Sequence, residues 1–159
     1  LFGVFDENLK VIEEETGAAD AILRSGVETT MIGLDVTHQA VLTRRDIERW
    51  RRLGTAAGDF LAGMTDFYID AYSATQPELE GCGMHDPLAV AAALDPTLVT
   101  TLGMNLQVDL EGAYRGRTIG DRAHDRLTYS HKTTQVAVRV DIARFKSQFL
   151  DRITALASH

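Results

Sequence analysis

The sequence predicts an α/β fold in which helices accompany an open sheet and an antiparallel β-hairpin comes late in the chain. An apolar, β-rich run over residues 28–36 is typical of an interior strand in a parallel sheet. From Thr55 onward, apolar residues recur at helical spacing. Apolar and polar residues then alternate over residues 102–109, which indicates a strand with one solvated face, followed by a turn at residues 111–112.

Length and composition favour a single domain, residues 1–159, because the chain is close to the usual size of one domain. A net charge of −7 argues against a nucleic-acid or anionic-membrane surface, since both need a basic footprint. No apolar run approaches the roughly 20 residues of a membrane helix. Cys82 has no second cysteine to pair with, which favours a reducing cytoplasm.

The first two predicted helices differ in their surfaces. A short helix over residues 18–23 is expected to end at Gly26. A second helix follows Thr43, with Ile47 and Trp50 on one side and five arginines around them. Acidic residues are interleaved with these arginines, so we expect a solvated charged face rather than a nucleic-acid surface.

Three more helices follow. The helix that begins at Thr55 ends before Pro77 and places Tyr68 and Tyr72 one turn apart on one face. Pro87 suits a first helical position, which predicts Asp86 as the N-cap of an apolar, buried helix. The last helix is capped by Asp141 and is expected to bury four apolar side chains: Phe145, Phe149, Leu150 and Ile153.

Between these helices, residues 113–119 are predicted to return as the partner strand of the hairpin. Residues 120–132 are polar and predict an exposed loop that carries His124 and His131. A last strand is predicted over residues 134–140, because Val136, Val138 and Val140 alternate and would share one face of the strand.

The sharpest candidate for chemistry is the His85-Asp86-Pro87 corner, which holds an imidazole and a carboxylate side by side. Two interpretations stay open from spacing alone. Asp86 is either only a helix cap, or it is a metal ligand with His85 as an acid or base. A calcium ion takes six to eight oxygen ligands, so Asp86 alone cannot make a site.

Other polar residues allow a structural interpretation beside the functional one. His38, in a loop with Thr37 and Gln39, is expected to be a satisfied, buried histidine. Tyr68 and Tyr72 form either part of the core or a platform for an aromatic ligand. Cys82 has no paired base in the sequence, which argues against a nucleophilic role.

Several separated motifs together resemble the inosine-uridine preferring nucleoside hydrolases. They occur in the order of that family and span about residues 18–156. The motifs are M-I-G-L-D-V-T-H-Q (31–39), M-H-D-P-L-A-V-A-A-A-L-D-P-T-L-V-T-T (84–101), Q-V-D-L-E-G (107–112) with R-G-R-T-I (115–119), and T-Q-V-A-V-R-V-D (134–141).

The resemblance implies a calcium-dependent N-ribohydrolase that splits a nucleoside into base and ribose through an oxocarbenium-like state. By this resemblance His85 matches the residue that protonates the leaving base, and Asp86 matches a late calcium ligand. Tyr68 and Tyr72 match aromatic residues that flank the nucleobase.

The matched stretch corresponds to only the C-terminal half of the family's fold. The aspartate cluster D-x-D-x-x-x-D-D, which supplies the family's main calcium site and general base, does not occur in this sequence. We therefore expect the chain alone to have negligible activity and not to bind calcium tightly. The alternative is a non-catalytic remnant that forms a homo-oligomer or complements a separate N-terminal half.

Overall fold

A computed structural model describes residues 17–121 and 134–159. These residues form a mixed α/β structure, as the sequence predicts. Its helices are α1 (residues 17–24), α2 (Leu34–Thr37), α3 (Arg44–Arg51), α4 (Ala56–Thr75), α5 (His85–Leu94) and α6 (Ile142–Ala157). Its strands are β1 (Thr30–Met31), β2 (Val41–Leu42), β3 (Cys82–Gly83), β4 (Val99–Val108), β5 (Thr118–Asp121) and β6 (Thr134–Val140).

The larger sheet of the described residues has the strand order β1-β6-β4-β5. Strand β1 pairs in parallel with β6, with Met31 opposite Val136. The parallel pairing is predicted correctly, but the predicted strand over residues 28–36 is too long, and among the described residues β1 lies at the edge of the sheet rather than in its interior. After Met31 the chain turns into α2, because the Gly33 carbonyl accepts hydrogen bonds from the N–H groups of Val36 and Thr37.

The late hairpin is confirmed, with β4 and β5 antiparallel and Val108 opposite Thr118. Its second strand begins five residues later than predicted, since a 3₁₀ turn occupies Gly112–Tyr114. The prediction of a solvated face fails at Asn105, which is only 4% exposed. Asn105 pairs with Asp121 in the ladder, and its side-chain Nδ2 is buried without a hydrogen-bond partner among the described residues.

The smaller sheet joins β2 and β3 in antiparallel pairing, with Leu42 opposite Cys82. Next to this pairing, the Met84 N–H donates to the Ala40 carbonyl over 2.8 Å. The two segments are far apart in sequence, and these bonds hold the α2–β2 connection beside the start of α5.

The chain divides into two compact units, whose described residues are 17–31, 101–121 and 134–136 in the first and 32–100 and 137–159 in the second. In the first unit, buried Asp20 of α1 accepts the Val108 N–H over 2.9 Å. The core of the second unit consists of Val36, Ala40, Leu42, Ile47, Trp50, Ala62, Ile69, Cys82, Met84, Leu88, Leu98, Ala137, Phe145 and Leu150.

Helices α3 and α6 begin as predicted. Thr43 caps α3 in a capping box with Asp46, and Asp141 caps α6 by accepting the Arg144 N–H. The Trp50 indole donates to the Thr154 hydroxyl over 3.1 Å, which joins the two helices. Arginines of α3 pair with carboxylates of α3, α4 and α6: Arg44 with Asp66 and Asp70, Arg49 with Asp151, and Arg51 with Glu48 and Asp66.

Helix α4 buries a face of small and medium side chains, while its large apolar residues face outward. Its buried residues are Gly58, Ala62, Thr65 and Ile69. Phe60, Met64, Phe67 and Tyr68 are exposed, although they recur at helical spacing in the sequence. Small residues allow α4 to approach α3 closely, which leaves the bulkier side chains on the other face.

Two glycines of α4 give a matched test of this close approach. A methyl group at Gly58 would lie 2.5 Å from the Trp50 carbonyl oxygen, whereas one at Gly63 would meet nothing within 4 Å. We expect Gly58→Ala to lower the free energy of unfolding by about 1–3 kcal/mol, because a backbone atom must move. Gly63→Ala should raise it by about 0.5–1 kcal/mol through helix propensity. Urea denaturation would measure both changes, and equal signs would contradict the close approach.

Asp46 gives the second unit a predicted dependence on pH. Burial opposes its charge, but hydrogen bonds from Lys146 (2.7 Å) and Thr43 outweigh burial and hold the pKa of Asp46 below its usual value of 3.8. The charged form therefore stabilises the fold above pH 3.8, and this contribution is lost as the pH falls through the lowered pKa. Asp46→Asn should reduce the acid-dependent loss of stability below about pH 4. Unfolding curves at pH 2–6 would show parallel profiles for both proteins if this assignment were wrong.

The predicted loop over residues 120–132 is wrong at its start, because residues 120 and 121 belong to β5. The rest of this loop, with His124 and His131, lies outside the described residues. Within the described residues, none of the helices has both the length and the apolar character that crossing a membrane would require.

Candidate active site

The candidate corner lies at the start of α5, in the second unit. The prediction that Asp86 caps this helix is wrong, because α5 begins at His85 and its N-cap is Met84. The Leu88 N–H donates to the Met84 carbonyl over 3.1 Å, so the helix begins two residues earlier than Pro87 suggests. Pro87 still fits, since first-turn positions need no N–H. Asp86 is exposed, and its side chain is not used as a cap.

Both ring nitrogens of His85 are hydrogen-bonded to hydroxyl groups. The Thr37 Oγ1 lies 2.6 Å from Nδ1, and the Tyr72 hydroxyl lies 2.7 Å from Nε2. Thr37 ends α2, Tyr72 lies in the last turns of α4, and His85 begins α5. Three helices therefore place one residue each in a single hydrogen-bonded chain.

Aromatic rings and a glycine surround the same imidazole. The His38 ring meets the His85 ring edge-on at 5.3 Å between centroids. Tyr68 packs edge-on against Tyr72 at 5.0 Å. A methyl group at Gly83 would lie 2.6 Å from the His85 Nε2, so the imidazole occupies the space that a side chain there would fill.

The site favours neutral side chains. Burial lowers the pKa of His85 below its usual value of 6.5, the nearby His38 lowers it further, and Asp86 acts in the opposite direction. Burial raises the pKa of Tyr72 to about 12, and its hydrogen bond with Tyr68 adds to the rise. Near neutral pH the pair therefore carries its protons as a tyrosine O–H and one imidazole N–H.

An apolar cavity of about 500 Å³ opens beside this pair. Its wall includes Met64, Phe67 and Tyr68 from α4, the His85-Asp86-Pro87 corner, and Phe149 and Ile153 from α6. Phe67 and Tyr68, two of the exposed aromatic residues of α4, thus line a concave surface, and polar groups enter it mainly at the corner. Flat apolar ligands with a few polar atoms suit such a cavity.

Cys82 also lies at this cavity but is buried, and its Sγ is 3.7 Å from the Leu42 carbonyl oxygen. Burial raises the pKa of its thiol. A nucleophilic cysteine needs a lowered pKa, so this environment suits a structural thiol.

The described residues do not fit a calcium site by themselves. No group of three or more His, Cys, Asp or Glu side chains that could hold a metal occurs within residues 17–121 and 134–159. Asp86 offers one carboxylate at the cavity, whereas calcium takes six to eight oxygen ligands. We therefore derive no chemical step through a metal.

The structure brings the predicted residues His85, Tyr72 and Tyr68 together and places Asp86 on the same cavity. Two further residues had no assigned role in the sequence. Thr37 lies 48 positions from His85, so spacing gave no signal for their contact. Gly83 lies two residues before His85 in the sequence, but only the structure shows that the His85 imidazole occupies the space that a side chain at Gly83 would need.

Comparison with known proteins decides the family. The family described as "Inosine-uridine preferring nucleoside hydrolase" matches residues 15–147 of this chain. The chain belongs to this nucleoside hydrolase family. A relative from Leishmania major, "Inosine-uridine preferring nucleoside hydrolase", is 36% identical over 138 residues, which are 86% of this chain and 42% of the relative. "Pyrimidine-specific ribonucleoside hydrolase RihA" of Klebsiella pneumoniae is 33% identical over 141 residues, 88% of this chain and 45% of the relative.

Solved structures of nucleoside hydrolases match the same part of the chain. A "Purine-Preferring Ribonucleoside Hydrolase from Gardnerella vaginalis" is 58% identical with a TM-score of 0.81, covering 89% of this chain and 44% of that one. The plant nucleoside hydrolase PpNRh1 is 29% identical with a TM-score of 0.78, covering 87% and 45%. The chain spans less than half the length of these nucleoside hydrolases.

Proposed function

We propose that this chain forms the nucleobase-binding wall of a nucleoside N-ribohydrolase and holds the proton that the departing base receives. The observation that carries the proposal is the hydrogen-bonded Tyr72–His85 pair beside an apolar cavity of about 500 Å³. Family membership supports the reaction class. We further propose a preference for purine nucleosides, supported by the 58% identity to the purine-preferring enzyme of Gardnerella vaginalis.

Cleavage of an N-glycosidic bond leaves negative charge on the base nitrogen unless a proton reaches it. A positioned acid typically contributes 10²–10⁴-fold to such a step. Tyr68 and His85 line the cavity, and the Tyr72 O–H, 2.7 Å from the His85 Nε2, is the proton donor that we assign to this step. Tyr72 can donate its O–H proton to the base nitrogen, and the Nε2–H of the neutral imidazole then stabilises the remaining phenolate by a hydrogen bond until water returns the proton.

Base binding tests the proposal without requiring turnover. In isothermal titration calorimetry we expect inosine to bind more tightly than uridine, and free ribose not to bind. His85→Ala should weaken inosine binding about three- to tenfold, the value of roughly one lost hydrogen bond. His159→Ala removes a C-terminal histidine outside the cavity and should leave binding unchanged. Equal binding of ribose and inosine would overturn the proposal.

The chain alone is proposed to hydrolyse nucleosides negligibly. Activated water and a general base each contribute large rate factors, and the aspartate cluster expected to supply both does not occur in this sequence. Asp86 would give calcium one oxygen ligand, and the described residues provide no cluster to complete the set. We expect only weak calcium binding in calorimetry, abolished by Asp86→Asn. Robust, chelator-sensitive turnover of an activated riboside by the purified chain would contradict this part of the proposal.

A second candidate role is self-association, which the exposed apolar face of α4 favours. Phe60 and Phe67 are 69% and 76% exposed, and Met64 lies between them on the helix. Large exposed apolar patches are typical of interaction surfaces. Light scattering should then give a mass above 17.5 kDa that Phe67→Asp lowers and Tyr114→Asp does not. A monomer at every concentration would overturn this second role.

A further inference from the structure

The Thr37 hydroxyl shows which protons the His85 ring carries. Thr37 is 2% exposed, and its Oγ1 lies 2.6 Å from Nδ1 of His85. Among the residues that the structure describes, Oγ1 makes no other hydrogen bond. The direction of this one bond therefore decides whether a buried hydroxyl proton has a partner.

Two arrangements of the neutral ring are possible. If Nδ1 carried the proton, Thr37 would accept it, and its own O–H would be left buried without an acceptor among the described residues. If Nδ1 is bare, the Thr37 O–H donates to it, and every proton at this end of the ring is satisfied. An unpaired buried donor is costly, whereas a hydroxyl oxygen tolerates an unused lone pair.

We propose that Thr37 is a positioning residue, whose hydroxyl donates to Nδ1 and fixes His85 as the tautomer with its proton on Nε2. This inference deepens the proposed function and rests on it for its purpose. In this tautomer Nε2–H donates to the Tyr72 oxygen over 2.7 Å, which leaves the Tyr72 O–H free to donate away from His85. Thr37 thereby directs a series of hydrogen bonds that runs from α2 through His85 of α5, which lines the cavity, to Tyr72 of α4.

Backbone hydrogen bonds hold Thr37 next to the segment that carries His85. Thr37 closes α2 and its carbonyl accepts the Ala40 N–H over 2.9 Å, while the Ala40 carbonyl accepts the Met84 N–H over 2.8 Å. Through these two bonds, Ala40 connects Thr37 at the end of α2 with Met84, the residue before His85. The Thr37 side chain therefore meets Nδ1 where two backbone segments are hydrogen-bonded to each other.

Nitrogen NMR of the ¹⁵N-histidine-labelled full chain at pH 8 tests the tautomer directly, with His85→Gln to assign the signal. We expect a protonated-type shift on Nε2 and a bare-type shift on Nδ1 in the wild-type chain. Thr37→Val keeps the shape of the side chain but removes the hydroxyl, and should move both shifts toward an average of the two tautomers. Thr37→Ser should restore the wild-type shifts, which a purely structural role of the threonine methyl would not.

Thr65→Val is the matched control, because Thr65 is also buried and its hydroxyl donates to the Leu61 carbonyl over 2.8 Å. Its His85 shifts should equal those of the wild-type chain. A proton on Nδ1 in the wild-type chain, or unchanged shifts in Thr37→Val, would overturn the inference. Inosine binding by the same samples separates the two claims: a fixed Nε2–H tautomer without inosine binding supports the role of Thr37 and overturns the proposed function.

Discussion

Phe145→Ala is expected to lower the free energy of unfolding by about 3–5 kcal/mol, the largest effect of any single truncation considered for this chain. The Phe145 side chain is 0% exposed in α6 and packs against Phe149 at 6.0 Å between ring centroids. It belongs to the buried core of the second unit. Truncation removes the buried ring and leaves a cavity that the surrounding helices fill only partly. Urea denaturation followed by circular dichroism would measure the change.

Phe60→Ala is the matched control, because Phe60 is the same residue type on α4 and is 69% exposed. It should change the free energy of unfolding by no more than about 0.5 kcal/mol when measured at a concentration at which the chain is monomeric. A loss at Phe60 as large as that at Phe145 would mean that α4 buries its aromatic face. A loss at Phe145 as small as that at Phe60 would contradict the burial of Phe145.

Gly83→Ala is expected to have the largest effect on the site itself. The added methyl group would lie 2.6 Å from Nε2 and 2.9 Å from Cε1 of His85. Because the obstructing group is a side chain, the imidazole can swing away at a modest cost in stability. Both of its hydrogen bonds, to Thr37 and Tyr72, would then be lost. We expect inosine binding to weaken about tenfold, the upper end of the effect expected for His85→Ala, since about 1.4 kcal/mol corresponds to tenfold in affinity.

Calorimetry and the His85 ring shifts would measure this effect together. Gly63→Ala serves as the control, because a methyl group there meets nothing within 4 Å. It should leave the imidazole signals and inosine binding unchanged. A Gly83→Ala chain that retained both hydrogen bonds would show that the imidazole does not lie over the glycine backbone.

Helix ends were largely predictable from the sequence, because their signals are local. Asp141 caps the helix for which it was predicted, α3 begins after Thr43 as expected, and α4 begins and ends beside Thr55 and Pro77. The exception is α5, where the Asp86-Pro87 pair suggested a start two residues later than the observed one at His85. There the Met84 carbonyl, fixed beside Ala40, accepts the first helical hydrogen bond.

The burial of α4 was not predictable from periodicity. Its aromatic residues recur at helical spacing, yet the buried face is the one that contains Gly58 and Ala62. Periodicity shows that two faces differ, whereas the partner helix decides which face is covered. In this chain the close contact of Gly58 with the Trp50 carbonyl favours the face of small residues.

The sequence by itself determined the α/β class, the late hairpin and the family resemblance, and it singled out the His85-Asp86 corner as the candidate site. Each of these depends on neighbouring residues or on motifs in a fixed order. The tertiary structure alone decided that Thr37 and Tyr72 share the two nitrogens of His85. Those contacts join residues on three separate helices, and their geometry follows from packing and from the hydrogen bonds between Ala40 and Met84.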